Sequence, residues 1–271
     1  MLLYNGRLLP ETGFALPLPN RGLFFNDGFF ETLVWADRGL RYRELHAARM
    51  QRAAAALSLD LPPALASAAN LERTLTALIT ADGSPTRLRL QLWRSGTGLY
   101  TPETSATEWL ATARPFTPHH APIATAGFAE TVRVQASPVS FCKGPQALTY
   151  VLAAQERQRR GLDEVLLLSG AGHIAEAVAA AVFWVRGGEL FTPNLATGCV
   201  AGVRRAHLLA AARRHGLTVH EVLAEPAELL AAEVVFTANV AGIRTVREIA
   251  GTHFDEQHPL LEQLRQWETQ E

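Results

Sequence analysis

Along the chain, the period of the apolar positions changes several times, and each change predicts an element. Residues 87–93 alternate strictly, with Leu88, Leu90 and Leu92 on one face, which predicts a half-buried strand. Residues 44–57 put Leu45, Ala48, Ala53 and Leu57 on or near one face and predict a helix. Residues 62–80 predict a second helix, stopped at Asp82-Gly83. The apolar stretch 29–35 is broken by Asp37-Arg38-Gly39, as in a hairpin, and residues 109–114 read as another strand. Residues 116–122 hold two prolines and little apolar content, which suits an exposed connector.

Beyond the connector the pattern predicts a strand at 132–136 and a helix at 147–160 closed by Gly161. A buried strand follows at 164–169, then a turn at Gly170-Ala171-Gly172. Residues 182–185 and 189–191 form a hairpin around Gly187-Gly188, and 203–215 form a helix closed by Gly216. A short helix starts at Pro226, a strand runs over 234–237, and an amphipathic helix runs from Pro259 to about Trp267. Strands and helices mix throughout, with no repeat at a fixed period. The expected layout is a small α+β domain at 1–115, a linker at 116–122 and a larger α/β domain at 123–271.

Composition narrows the function. The chain has 271 residues, 48% of them apolar, enough for a sizeable core and too apolar for a disordered chain. A formal net charge of −1 gives no excess to attract nucleic acid or an anionic membrane. The longest apolar run, 177–185, is too short to span a bilayer, and the first residues lack the pattern of a secretory signal. Two cysteines exclude a disulfide scaffold, so a soluble cytoplasmic protein is the expectation. Of the 25 basic residues only Lys143 is a lysine. An Arg-biased chain can lose lysine from any surface, but arginine cannot replace an amine that must shed its proton, as in Schiff-base chemistry.

Six segments carry candidate chemistry. They are Asn20-Arg-Gly-Leu-Phe-Phe-Asn-Asp-Gly-Phe-Phe-Glu-Thr32, His46-Ala-Ala-Arg49, Arg87 through Arg94-Ser-Gly-Thr-Gly-Leu-Tyr100, Cys142-Lys143 before Tyr150-Val-Leu-Ala-Ala, Gly161 through Glu176 to Phe183-Trp-Val185, and Thr192-Pro193 with Gly198-Cys-Val-Ala-Gly-Val-Arg-Arg205. An arginine such as Arg49 offers paired donors to phosphate oxygens. Arg89, Arg94 and Tyr100 are candidates to hold a carboxylate. A helix opened by Gly202, Val203 and Arg204 suits an anion, because amides and dipole both point at it. Glu176 reads either as a functional carboxylate or as a charge interrupting a strand. Cys142 reads as a small buried residue.

In order and spacing these segments resemble the class IV aminotransferases, the fold-type-IV enzymes that use pyridoxal 5'-phosphate. That family includes branched-chain and D-amino-acid aminotransferases and 4-amino-4-deoxychorismate lyase. The resemblance implies a small N-terminal α+β domain and a larger C-terminal pseudo-barrel carrying the Schiff-base lysine. It implies Lys143 as that lysine and Glu176 as partner of the pyridine nitrogen. Arg49, Gly202, Val203 and Arg204 would bind the phosphate, with Thr237 and Asn239 as further contacts. Phe30 would line the substrate side, where D-amino-acid aminotransferases tend to have tyrosine. Implied partners are an amino acid, a 2-oxo acid and a second copy of the chain. Three residues depart from the family pattern: Asn26 for a glycine, Ala181 for an asparagine and Arg204 for a threonine or serine. The expected activity is amino-group transfer. The alternatives are a lyase releasing pyruvate and 4-aminobenzoate from aminodeoxychorismate, and a cofactor-binding homologue without turnover.

Overall fold

The computed structural model describes residues 1–37, 39–80 and 82–268, so Arg38 of the turn expected at 37–39 lies outside the described residues. The chain divides into two compact units, Met1–Thr117 with Cys142–Pro145, and Pro118–Phe141 with Gln146–Glu271. Lys143 therefore groups with the first unit, although the sequence placed it in the second domain.

In the first unit β1 (Leu2–Tyr4), β2 (Arg7–Leu9), α1 (Arg21–Phe25), β3 (Gly28–Ala36), β4 (Gly39–Leu40), α2 (Arg43–Ala56), α3 (Ala68–Leu75), β5 (Thr86–Arg94) and β6 (Thr107–Pro115) follow in order. The strands form one antiparallel sheet in the order β2-β1-β6-β5-β3-β4. Strand β5 behaves as its alternation requires: Leu88, Leu90 and Leu92 are buried, while Arg87 and Arg89 are exposed. Its register sets Phe30 opposite Gln91, Glu31 opposite Leu90 and Thr32 opposite Arg89. Glu31 thus lies on the leucine face, and Phe30 and Arg89 on the other. The helix expected over 62–80 is broken. A short 3-10 turn, Pro63–Leu65, precedes Ser67, whose hydroxyl accepts from the Asn70 amide and starts α3 afresh.

The second unit contains β7 (Ala126–Phe128), α4 (Ala147–Arg159), β8 (Glu164–Leu168), β9 (Ile174–Ala177), β10 (Ala181–Arg186), β11 (Glu189–Pro193), α5 (Val203–Arg214), β12 (Val219–Val222), α6 (Pro226–Leu230), β13 (Val234–Asn239), β14 (Gly242–Val246), β15 (Glu248–Ile249), β16 (Thr252–His253) and α7 (Pro259–Glu268). One sheet runs β12-β11-β10-β13-β14 and the other β16-β15-β7-β8-β9. Alternation along β10 serves two cores. Val182 and Trp184 join Val235, Val246 and Ile249, while Phe183 and Val185 join Phe236, Leu208, Leu261 and Leu264. Each fully buried large side chain of this kind contributes roughly 1.5–3 kcal/mol.

Two sequence expectations fail here. The strand expected at 132–136 is reduced to a single parallel bridge, Val134 to Ser169, and the true strand β7 lies earlier. The Glu156 carboxylate takes the amides of Glu130 and Thr131, at 2.8 and 2.9 Å, and so interrupts the ladder. Strand β9 has no bounds in the sequence reading, which offered a strand here only as one of two readings of Glu176. Among the described residues no helix is long and apolar enough to cross a membrane.

Candidate active site

Lys143 is half-buried, and its backbone is tied to the start of β3. The Phe30 amide donates to the Lys143 carbonyl at 2.9 Å, and the Asn26 side-chain amide donates to the Gly144 carbonyl at 2.7 Å. Gly144 has φ +134°, and a Cβ there would sit 3.0 Å from the Phe29 Cα, so only glycine suits the close approach. Gly28 is needed for the same reason, since its Cβ would collide with the Leu92 carbonyl. Burial pushes the adjacent Cys142 thiol up to about 11, which keeps it protonated and makes it a poor nucleophile.

Below the sheet, α2 presents His46 and Arg49 on one face, three residues apart. Both reach Glu31. Arg49 Nε donates to Glu31 Oε1 at 2.8 Å, Arg49 Nη2 donates to Oε2, and His46 Nδ1 lies 2.7 Å from Oε2. All three side chains are buried. Burial alone would raise the Glu31 carboxyl, but Arg49 and His46 outweigh it and hold the group at about 2. Sequence reasoning singled out Arg49 and gave Glu31 no role.

In the second unit Glu176 sits inside β9, buried on both faces. Tyr150 of α4 donates its hydroxyl to Glu176 Oε1 at 2.7 Å, and the Val200 amide donates to both carboxylate oxygens at 3.2 Å. Val200 precedes the turn that opens α5. There Gly202 is the N-cap in extended geometry, and Val203 and Arg204 begin the helix, whose first turn has no acidic residue. The leading amides of α5 project along its axis. Arg204 Nη1 donates to the Asn239 carbonyl at 2.8 Å, tying α5 to the end of β13. Asn239 donates to the Ala179 carbonyl and accepts from the Ala241 amide, and Thr237 is buried two positions earlier on the same face of β13. The structure thus brings Glu176, the Gly202–Arg204 turn and the Thr237–Asn239 segment into one unit. Tyr150 and Val200, which hold Glu176, were not singled out from the sequence.

The substrate-side candidates separate. The Arg89 guanidinium lies 3.2 Å from the centre of the Phe30 ring on the exposed sheet face. Arg94 is buried and its donors are engaged: Nε with Asp27 at 2.9 Å, Nη1 with the carbonyls of Ser58 and Thr104, and Nη2 with that of Leu57. Arg94 therefore builds its own loop, a different job from the carboxylate contact expected of it. Tyr100 is 91% exposed, its ring beside Phe25. Arg89 is exposed, and its Nη2 lies 3.4 Å from Gln91 Oε1.

Residues 28–249 match the amino-transferase class IV family, and the chain belongs to that family. A branched-chain-amino-acid aminotransferase of Pseudomonas aeruginosa is 32% identical over 102 residues, 37% of this chain and only 33% of that protein's length. The branched-chain aminotransferase of Escherichia coli superposes with a TM-score of 0.86 at 22% identity, covering 98% of this chain and 92% of that one, and shares the fold. The 4-amino-4-deoxychorismate lyase of Pseudomonas aeruginosa superposes with a TM-score of 0.85 at 27% identity, covering 98% of this chain and 97% of that one.

Membership of the family implies pyridoxal 5'-phosphate. The donor set fits that group. The first unit has a lysine amine suited to an aldehyde and an arginine suited to a phosphate, and the second has a buried carboxylate suited to a protonated ring nitrogen and a helix start suited to a phosphate. Within the second unit the carboxylate and the helix start are joined through Val200, which contacts the one and leads into the other.

Proposed function

We propose that the chain is a pyridoxal-phosphate-dependent aminotransferase that moves an amino group between an amino acid and a 2-oxo acid, acting in the cytoplasm as a homodimer. Lys143 carries this reading: the chain keeps one side-chain amine, and four glycine and amide devices fix the backbone that bears it. Bound pyridoxal phosphate supplies an aldehyde for the amino group and a ring that withdraws electrons from the substrate carbon. The Lys143 amine anchors the aldehyde and, once displaced, takes and returns the proton at the substrate Cα. Glu176, held by the Tyr150 hydroxyl and the Val200 amide, favours the protonated ring nitrogen. Arg49, the opening amides at Gly202, Val203 and Arg204, and the Thr237–Asn239 segment hold the phosphate. Arg89 binds the substrate carboxylate, and Phe30 supplies an apolar wall beside it.

The near full-length likeness to a 4-amino-4-deoxychorismate lyase supports a second reading, release of pyruvate and 4-aminobenzoate. Purified holoenzyme separates the two. Transamination requires that an amino acid shift the visible spectrum of the bound cofactor stoichiometrically, and that 2-oxoglutarate reverse the shift. Sustained pyruvate and 4-aminobenzoate formation from aminodeoxychorismate, with no 2-oxo acid present, would replace transamination by the lyase. Borohydride reduction of the holoenzyme should leave the cofactor on the one peptide containing Lys143. An adduct nowhere on a folded, cofactor-supplied protein would overturn both.

A further inference from the structure

We propose that Glu31 is a positioning residue for phosphate recognition, holding the Nε–Nη2 edge of Arg49 so that the rest of the guanidinium has one heading. The inference rests on reading Arg49 as a phosphate ligand. A guanidinium is planar, so two bonds to one carboxylate fix both its plane and its direction. Here Nε meets Oε1 and Nη2 meets Oε2 of a carboxylate that is itself 1% exposed. Glu31 is held in turn. It stands in β3, and the neighbouring Phe30 amide is bonded to the Lys143 carbonyl, so the strand that aims Arg49 also carries the backbone contact of the lysine.

His46 completes the support. The carboxylate can only accept, so His46 Nδ1 carries the proton in their 2.7 Å contact. The other ring nitrogen, Nε2, is then a buried lone pair with no hydrogen-bond partner. Burial lowers the affinity of the ring for a second proton, against the pull of Glu31. Glu31 therefore accepts from one guanidinium edge and one imidazole N–H. A pair serving stability alone is replaceable by apolar groups of similar volume, whereas a pair that aims a cation shows its effect in what the cation binds.

The test compares two probes on cofactor-free protein, pyridoxal 5'-phosphate and pyridoxal, which differ only in the phosphate. Binding is followed by absorbance and tryptophan quenching. Glu31→Gln should weaken pyridoxal phosphate at least about tenfold while pyridoxal changes less than about twofold. Arg49→Gln should lower the same ratio, and adding Glu31→Gln to it should move the ratio less than about twofold more. Equal weakening of both probes, an unchanged ratio, or full additivity in the double variant overturns the inference. Should Glu31→Gln fail to fold, Glu31→Asp, which shortens the carboxylate's reach, carries the same comparison. A wild-type protein that takes up no pyridoxal phosphate overturns the cofactor reading and this inference with it, whereas normal uptake with an unmoved ratio overturns the inference alone.

Discussion

The side-chain amide of Asn26 donates to the carbonyl of Gly144 at 2.7 Å, one residue past Lys143. Asn26, which the family resemblance marks as a departure from glycine, ends α1 with φ 53°. Asparagine tolerates that left-handed geometry better than other side chains do, so the departure keeps the turn and adds a bond. Asn26→Gly should keep the turn and lose the bond, costing about 1 kcal/mol. Asn26→Ala should also strain the backbone and cost about 2 kcal/mol. Denaturant titration checks the order; a glycine variant as unstable as the alanine one would show that the conformation contributes nothing.

Glu31 and His46 make stability pH-dependent. The Glu31 carboxyl is lowered from 4.5 to about 2, and burial holds His46 below its ordinary 6.5. Both groups bind more protons unfolded than folded, so their contribution is complete at neutral pH and is lost as pH falls. The His46 loss begins below about pH 6.5, and the Glu31 loss follows between 4.5 and about 2. Unfolding midpoints at pH 7.5, 5.5 and 4 measure the slope. His46→Gln should flatten the upper step, and an unaltered step there would assign it to another histidine.

Glu176→Gln keeps an acceptor for Tyr150 and Val200 but removes the charge. It should still bind cofactor and slow the exchange of an amino acid's α-hydrogen with solvent on the order of 10²-fold. Proton NMR in heavy water follows the exchange directly. An unchanged rate would mean that another carboxylate serves the ring.

Asp27 joins two buried guanidiniums, accepting from Arg21 Nε at 2.8 Å and Arg94 Nε at 2.9 Å. Arg21 Nη1 meanwhile gathers the carbonyls of Thr97, Gly98 and Leu99. Asp27→Asn leaves two cations without their shared anion and should cost about 3 kcal/mol. It should also speed chymotryptic cleavage at Leu99 and Tyr100. Wild-type cleavage rates in the variant would show that the loop is held by other means.

Local signals were legible in the sequence. The alternation of Leu88, Leu90 and Leu92 needs no partner to be read, and the solitary Lys143 is a matter of counting. The break before α3 was not legible, because Ser67 interrupts an apolar pattern that continues in phase beyond it. Strand β9 is four buried residues, Ile174–Ala177, with a carboxylate among them, and buried strands lack alternation. Glu31 joins Arg49 only when β3 packs on α2. Arg94 looks like a binding residue until Leu57, Ser58 and Thr104 close around it. The chemistry of a side chain is written in the sequence, whereas the acceptors that occupy it are set by tertiary closure.

Strand β7 pairs in parallel with β15 through Ala126 and Ile249, and Ile123 bridges to Val246. During synthesis the early partner of each pair leaves the ribosome long before the late one exists. Until then β7 offers one open edge, the kind of template on which nascent chains aggregate. Truncations that stop short of Ile249 leave that edge permanently exposed. Closure over so long a separation also slows folding, and the first unit shares that burden, since β1 must wait for β6 before Leu2 can pair with Thr112.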